Sequence, residues 1–406
     1  SYYYKPNNMI SISNLVFRMK KNAVGLATIA ILSSMVLVTL VGAASIYAGK
    51  KDYLASATPH DYSVAGNKVD LTSTKKLMDD FLIKTGEQAN EEVAVSYLLF
   101  GIKNQETNKL TVFTKNERKV VPKSIVLVFS QETFKQLTGK ELNLSSNQIA
   151  LYTKNKTLKT QKSLSIDGKN YQIHRQLGDF INKKIPNIYK IIVSDYSYLV
   201  VPDIKIFESS MKGTSITQAT YVGVNVKNPT HDAKKNLDLL DQIAGEATKQ
   251  LDSQTTGVPV SYFSANSRYD AEGMVNGFVG GTFFIGIFLS IIFMLGTVLV
   301  IYYKQISEGY EDRERFVILQ KIGLDDLQVK QTIRKQVLTV FFLPLIFSFI
   351  HLAFAYHMIS LIVRIIGVLN PSLMLVVTII VCGVFFLAYI LVFALTSRSY
   401  RRIVSM

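Results

Sequence analysis

Lys154, Lys156, Lys159 and Lys162 crowd one polar stretch, and Lys115, Arg118, Lys119 and Lys123 crowd another. Ammonium groups at this spacing can hold a pyrophosphate or another anionic headgroup; the same spacing also describes an ordinary solvated face. His351 and His357 are six positions apart in one apolar run, which points them to different helix faces and excludes a metal pair. Either can relay a proton or simply pack against a neighbouring helix. The single cysteine, Cys382, lies in a long apolar run and reads as a small hydrophobe. No GxxxxGK[ST], HExxH or GxSxG pattern occurs, so we expect no catalytic residue, cofactor site or metal site in this chain. Any ATP that the system consumes is expected to be hydrolysed by another subunit.

The elements that would carry these residues follow from how the apolar residues are distributed. The chain has 406 residues, 48% of them hydrophobic, and a formal net charge of +15. Its apolar residues gather in four blocks, each long enough to cross a bilayer: 22–49, 273–303, 336–363 and 372–396. The sequence therefore predicts an α-helical transmembrane protein with four spans. A large mixed α+β domain, 50–272, separates the first span from the second. The remaining segments are 1–21, 304–335, the short loop 364–371 and the tail 397–406. The opening SYYYKPNN is neither an initiator sequence nor a signal-peptide start, which leads us to expect the later part of a longer protein. Met9 to Lys21 can lie along the membrane surface or begin the first span.

Orientation follows from the basic residues on the short flanks. Lys5, Arg18, Lys20 and Lys21 precede the first span. Seven basic residues from Lys304 to Lys335 separate the second and third, and Arg398, Arg401 and Arg402 follow the fourth. The short loop 364–371 carries only Arg364. Both termini and 304–335 are expected in the cytoplasm, and 50–272 outside. An outer domain of this size can bury its own core, and it contains no cysteine. Strand-like runs occur at Val93–Phe100, Leu110–Phe113, Ile125–Phe129, Tyr189–Val201 and Thr220–Val226, with helical patterns at Glu132–Leu137 and at Thr230–Leu251, where Thr230 is the expected N-cap. No basic motif interleaved with aromatics points to nucleic acid.

Two stretches in the membrane half stand out. Gly273, Gly277 and Gly281 make overlapping GxxxG motifs, a smooth stripe for close helix packing that serves as a sliding surface or a static contact. Between the second and third spans, Phe316, Leu319 and Ile322 recur among charges at near-helical spacing, and Gly323 then ends the run. Asp325 and Gln328 have the spacing of a capping box for a second helix. Pro344 is expected to kink the third span, and Asn370–Pro371 to make a tight turn before the fourth.

The segment RERFVILQKIG, Arg313 to Gly323, followed by LDDLQVKQTIRKQ, resembles the cytoplasmic segment of FtsX-like permease domains. The N-terminal MISISNLVFRMKKNAVGLATIAILSSMVLVTLVG resembles the matching region of Bce-type permeases, membrane subunits of peptide-antibiotic resistance ABC transporters. The order span, large domain, three spans and basic tail fits the last four of that family's ten spans. The resemblance implies a cytoplasmic ABC ATPase dimer and a membrane sensor histidine kinase as partners. It also implies a cell-wall-active peptide or undecaprenyl pyrophosphate lipid as the ligand, with coupling to the ATPase through Arg313, Phe316, Leu319, Ile322 and Gly323. Arg315 departs from the pattern, standing where many FtsX-like segments carry an acidic residue. The alternative expectation is a regulator or sensor of the same type that signals to a kinase or cell-wall hydrolase without transport.

Overall fold

The fold is taken from a computed structural model that describes residues 6–117, 122–186, 193, 195–227, 233–251, 261–321, 326–368 and 370–404. The side chains of 6–22, 116, 233, 308, 312, 314–321, 326–337, 339–340 and 397–404 lie outside that description. The chain divides into two compact units, Lys51–Gly277 and Ser1–Lys50 with Phe278–Met406.

The first unit is built on a mixed sheet. In chain order its elements are β1 (Tyr62–Asn67), α2 (Leu71–Thr85), β2 (Ala89–Gln105), β3 (Lys109–Val112), β4 (Ser124–Ser130), α3 (Gln131–Thr138), β5 (Gln148–Thr153) and α4 (Lys156–Lys159). Then come β6 (Ser163–Ile166), β7 (Lys169–Gln176), β8 (Asp195–Val201), α5 (Ile204–Ser210), β9 (Thr217–Val226), α6 (Ala233–Leu251) and β10 (Tyr262–Ser267). The long helices α1 (Pro6–Ala57) and α7 (Arg268–Lys321) precede and follow these elements in sequence.

The strands run in the order β10-β1-β9-β2-β3-β6-β7-β5-β8-β4, and β4 also pairs with β2. That last pairing closes the strands from β2 to β4 into a ring, which leaves no free edge among them. β2 makes the closure possible because it is long: Ala89 to Leu99 pair with β9, Leu98 to Ile102 with β4, and Ile102 to Gln105 with β3 after a register shift. At the turn of this strand Gly101 leaves room for Pro122, whose Cβ would stand 2.8 Å from any added side chain.

Period-2 alternation sorts the ring's residues onto two faces. Leu98, Phe100, Val126, Val128, Leu151 and Leu199 fill the interior with Phe207 and Met211 from α5 and beyond. Tyr97, Leu127, Phe129, Tyr196 and Tyr198 pack on the other face under Leu137, Ile181 and Ile185. Because both faces of β4 and β8 are covered, these strands are nearly continuous apolar runs, SIVLVFS and DYSYLVV. Burying each such Leu or Phe contributes about 1.5–3 kcal/mol, which explains a stable domain without disulfides.

Beyond the ring, β9, β1 and β10 extend the sheet, and α2 and α6 cover one face through Met78, Phe81, Leu240 and Ile243 against Tyr62, Val222 and Val224. Asp70 caps α2 by accepting from the Ser73 amide, and Gly86 ends it in the left-handed region at φ 69°. Expected strands and observed ones coincide in part. Five runs match β2, β3, β4, β8 and β9, whereas β1, β5, β6, β7, β10 and helix α2 were not expected. Residues 189–192 and 194 of one expected run, and Thr230, lie outside the described residues.

Among the described residues, four helices are long and apolar enough to cross a membrane, and most of each lies in the second unit: Ala23–Ala57, Arg268–Glu311, Phe341–Ile365 and Pro371–Thr396. Two of them belong to α8 (Asp326–Ile365) and α9 (Pro371–Val404). Within this unit α1 is the common neighbour. It packs antiparallel to α7, where Thr39 Oγ1 and Ser290 Oγ lie 2.9 Å apart, Tyr47 stacks on Phe283, and an added Cβ on Gly286 would stand 2.3 Å from Ala43. It packs parallel to α8, where Ser348 Oγ donates to the Ala30 carbonyl at 3.0 Å and His351 Nδ1 lies 3.1 Å from Ser34 Oγ. α9 closes on α8 through Phe341, Tyr389 and Phe393. The Tyr389 hydroxyl donates to the Phe341 carbonyl at 2.9 Å, in the turn before Pro344. Asn370 caps α9 by accepting from the Ser372 and Leu373 amides, with Pro371 at the first helical position.

Candidate functional site

The ring delivers the first lysine group to one place. Asn155 caps α4, its Oδ1 accepting from the amides of Thr157 and Leu158 at 2.9 and 3.3 Å, and Leu158 is buried in the ring interior. Anchored in this way, α4 carries Lys156 and Lys159, with Lys154 just before its cap and Lys162 just after its end, and all four are exposed. Lys154 Nζ lies 5.0 Å from the centre of the Tyr196 ring, a cation–π contact. A carboxylate stands nearby, since Asn155 Nδ2 donates to Asp195 Oδ2 at 3.1 Å. The group forms an exposed cationic rim around α4, just past the end of β5. Of the second lysine group, Arg118 and Lys119 lie outside the described residues. Beside it Lys103 pairs with Glu117, whose carboxyl is held down to about 2 by Lys103 and then by the Thr114 amide and hydroxyl.

The expected packing glycines behave differently from Gly286. A Cβ built on Gly273, Gly277 or Gly281 meets no atom within 4 Å, so the described residues place nothing against that stripe. The close approach between helices falls instead at Gly286 on Ala43, and at Gly49, where a Cβ would stand 2.4 Å from Val368. The glycine spacing was visible in the sequence; which glycine meets a neighbour depends on the register between helices.

For the coupling segment, α7 continues to Lys321 and α8 starts at Asp326. Arg313 is exposed on α7. Phe316 and Leu319 belong to α7, but their side chains lie outside the described residues, as do Ile322, Gly323 and Asp325 altogether. His351 contacts Ser34 and no described histidine, cysteine, aspartate or glutamate cluster could hold a metal.

A polar cluster not anticipated from the sequence lies where β1 meets β9 and β10. His60 is buried over Gly223, with Nδ1 2.8 Å from the Tyr221 hydroxyl. An added Cβ on Gly223 would come within 2.4 Å of that imidazole, which is why the position carries none. Burial, helped by the Arg268 charge and opposed by Glu91 and Asp61, lowers the His60 pKa to about 4. Burial pushes the Tyr221 hydroxyl up. Asp61 beside it ties to Arg268, with Nη1 3.4 Å from Oδ1. No local pattern signals this cluster, because its members are brought together by strand pairing across most of the domain.

Three curated proteins of Bacillus subtilis align with this chain over most of its length. ABC transporter permease protein YxdM is 22% identical over 363 residues, 87% of this chain and 52% of its own length. Uncharacterized ABC transporter permease YvcS is 21% identical over 415 residues, covering 99% and 59%. Its distant relatives are ABC transporter permeases. A third, bacitracin export permease protein BceB, is 20% identical over 363 residues, covering 87% and 51%. No family model matches the chain. The chain thus spans little more than half the length of the curated relatives it matches. Together with the four long apolar helices, these relatives make the chain a membrane protein.

Proposed function

We propose that this chain is the C-terminal portion of a Bce-type permease that confers resistance to, and sensing of, cell-wall-active peptide antibiotics. The observation that carries the reading is the alignment of nearly the whole chain, spans and sheet domain together, with ABC permeases that include a bacitracin export permease. The basic flanks support an orientation with both termini and 304–335 in the cytoplasm and 50–272 outside. ATP is hydrolysed by a separate ABC ATPase dimer, and the chain itself needs no cofactor. A membrane sensor histidine kinase is the further partner.

In this mechanism, closure of the ATPases pushes on Arg313, Phe316, Leu319, Ile322 and Gly323. α7 and α8 shift, and the outer domain changes its grip on the peptide or its undecaprenyl pyrophosphate complex. The ligand must bind the two states of that domain unequally for the cycle to do work. Four described polar side chains in the spans, Ser34, Thr39, Ser290 and Ser348, bond across helix pairs or to carbonyls, which supports a packed lever over a water-filled path. The cationic rim around α4 is the site proposed for the pyrophosphate.

The test is a resistance profile across bacitracin-like and lantibiotic-like peptides with and without the intact chain, combined with affinity purification of the chain from membranes. Loss of resistance on deletion, with a stoichiometric ATPase recovered, is expected. Unchanged resistance, or recovery of a kinase or hydrolase without an ATPase, overturns the reading.

A further inference from the structure

The buried cluster at the root of the sheet domain joins the two chain ends that enter and leave it. The register that pairs Tyr62 with Ser267 sets Asp61 beside Arg268, and the Arg268 amide donates to the Asp61 carbonyl at 2.9 Å. The Arg268 side chain then reaches further. Its Nε donates to the Thr58 carbonyl at 3.1 Å, and its Nη1 lies 3.4 Å from Asp61 Oδ1. The second Asp61 oxygen accepts from the Val226 amide of β9 at 3.0 Å, while the Asp61 amide donates to Asn225 Oδ1 at 3.1 Å. Asn225 Nδ2 in turn donates to Glu91 of β2 at 3.0 Å. The Asp61 side chain is only 13% exposed and that of Arg268 33%, so the pair is shielded in a way that surface ion pairs are not.

α1 ends at Ala57, one residue before Thr58, and Arg268 is the first residue of α7. One guanidinium therefore bridges the exit of one long helix, the entry of the next, and a carboxylate anchored on the central strands. We propose that the Arg268–Asp61 pair is a clasp that fixes the end of α1 to the start of α7, so that both helices move β1 and β10 as a single lever. Arg268 is a positioning residue in this account, which rests on the coupling reading above. The planar fork is essential to it: lysine keeps the charge but presents a single point donor and cannot hold the Thr58 carbonyl and Asp61 in the same arrangement.

The test uses the full chain in membranes, with Cys382 replaced by Ser and spin labels on cysteines at Ser56 and Glu272. Pulsed distance measurement is expected to give a narrow distribution in the parent and at least twofold broadening in both Arg268→Gln and Arg268→Lys. Peptide-stimulated ATPase activity of the purified complex should fall at least tenfold in both, with basal ATPase and membrane yield within twofold of the parent. Should Arg268→Gln fail to accumulate, Asp61→Asn is read instead, since it keeps the side-chain shape and an oxygen acceptor for the Val226 amide. An unbroadened distribution overturns the clasp. Broadening with stimulation intact overturns its role in coupling. If the parent binds no ATPase, the functional reading fails, and the label widths alone still decide whether the clasp exists.

Discussion

Gly286 of α7 approaches Ala43 of α1 so closely that a Cβ on the glycine would lie 2.3 Å from the Ala43 Cβ, with the Thr39 carbonyl at 3.6 Å. Even alanine cannot enter without parting the helices. Gly286→Ala is expected to destabilise the helix pair by about 1–3 kcal/mol, the usual cost of overpacking. Gly281→Ala, which meets no atom within 4 Å, should be near neutral. Thermal unfolding of the detergent-solubilised chain checks both, and Ala43→Gly in the Gly286→Ala background should restore much of the loss.

His60 gives the sheet domain a pH dependence with a defined sign. Its folded pKa, about 4, lies below the ordinary value of 6.5, so the unfolded chain binds the proton first as pH falls. The stability associated with the neutral buried ring is complete above pH 6.5 and is lost progressively down to about pH 4. At about 1.4 kcal/mol per pKa unit, the loss is on the order of 3 kcal/mol. Unfolding midpoints measured between pH 7.5 and 4 should fall more steeply for the parent than for His60→Asn; parallel curves would refute the assignment.

The coupling segment is tested by charge substitution. Phe316→Glu or Leu319→Glu should abolish recovery of the ATPase with the chain while membrane insertion stays intact. Undiminished ATP-dependent resistance in either variant would remove the segment from the mechanism.

For the cationic rim, replacing Lys154, Lys156, Lys159 and Lys162 with Gln should weaken binding of the full chain to vesicles bearing pyrophosphate lipid by about tenfold, and raise no difference on neutral vesicles. Equal affinity before and after would move the ligand elsewhere. Because these side chains are exposed, the unfolding free energy should change by no more than about 0.5 kcal/mol per substitution.

Much of this protein is local information. Long apolar blocks dictate helices that can cross a bilayer, because an unpaired backbone has no partner in hydrocarbon. The apolar runs SIVLVFS and DYSYLVV announce strands buried on both faces, and Asn370–Pro371 announces the start of α9. Short strands such as Ser163–Ile166 and the exposed Lys169–Gln176 carry too few alternating apolar residues to be read alone.

Tertiary structure decided the rest, and in each case through pairings distant in sequence. Ring closure needs β2 to bend and meet β4 as well as β9, a register that no single segment encodes. The choice of Gly286 over Gly281 as the contact glycine depends on where α1 and α7 meet, since many glycines share the same spacing. His60, Asp61 and Arg268 become one buried cluster only because β1 pairs with β9 and β10. Composition and periodicity determine which elements form; the partners each side chain meets are fixed by the packing of elements far apart along the chain.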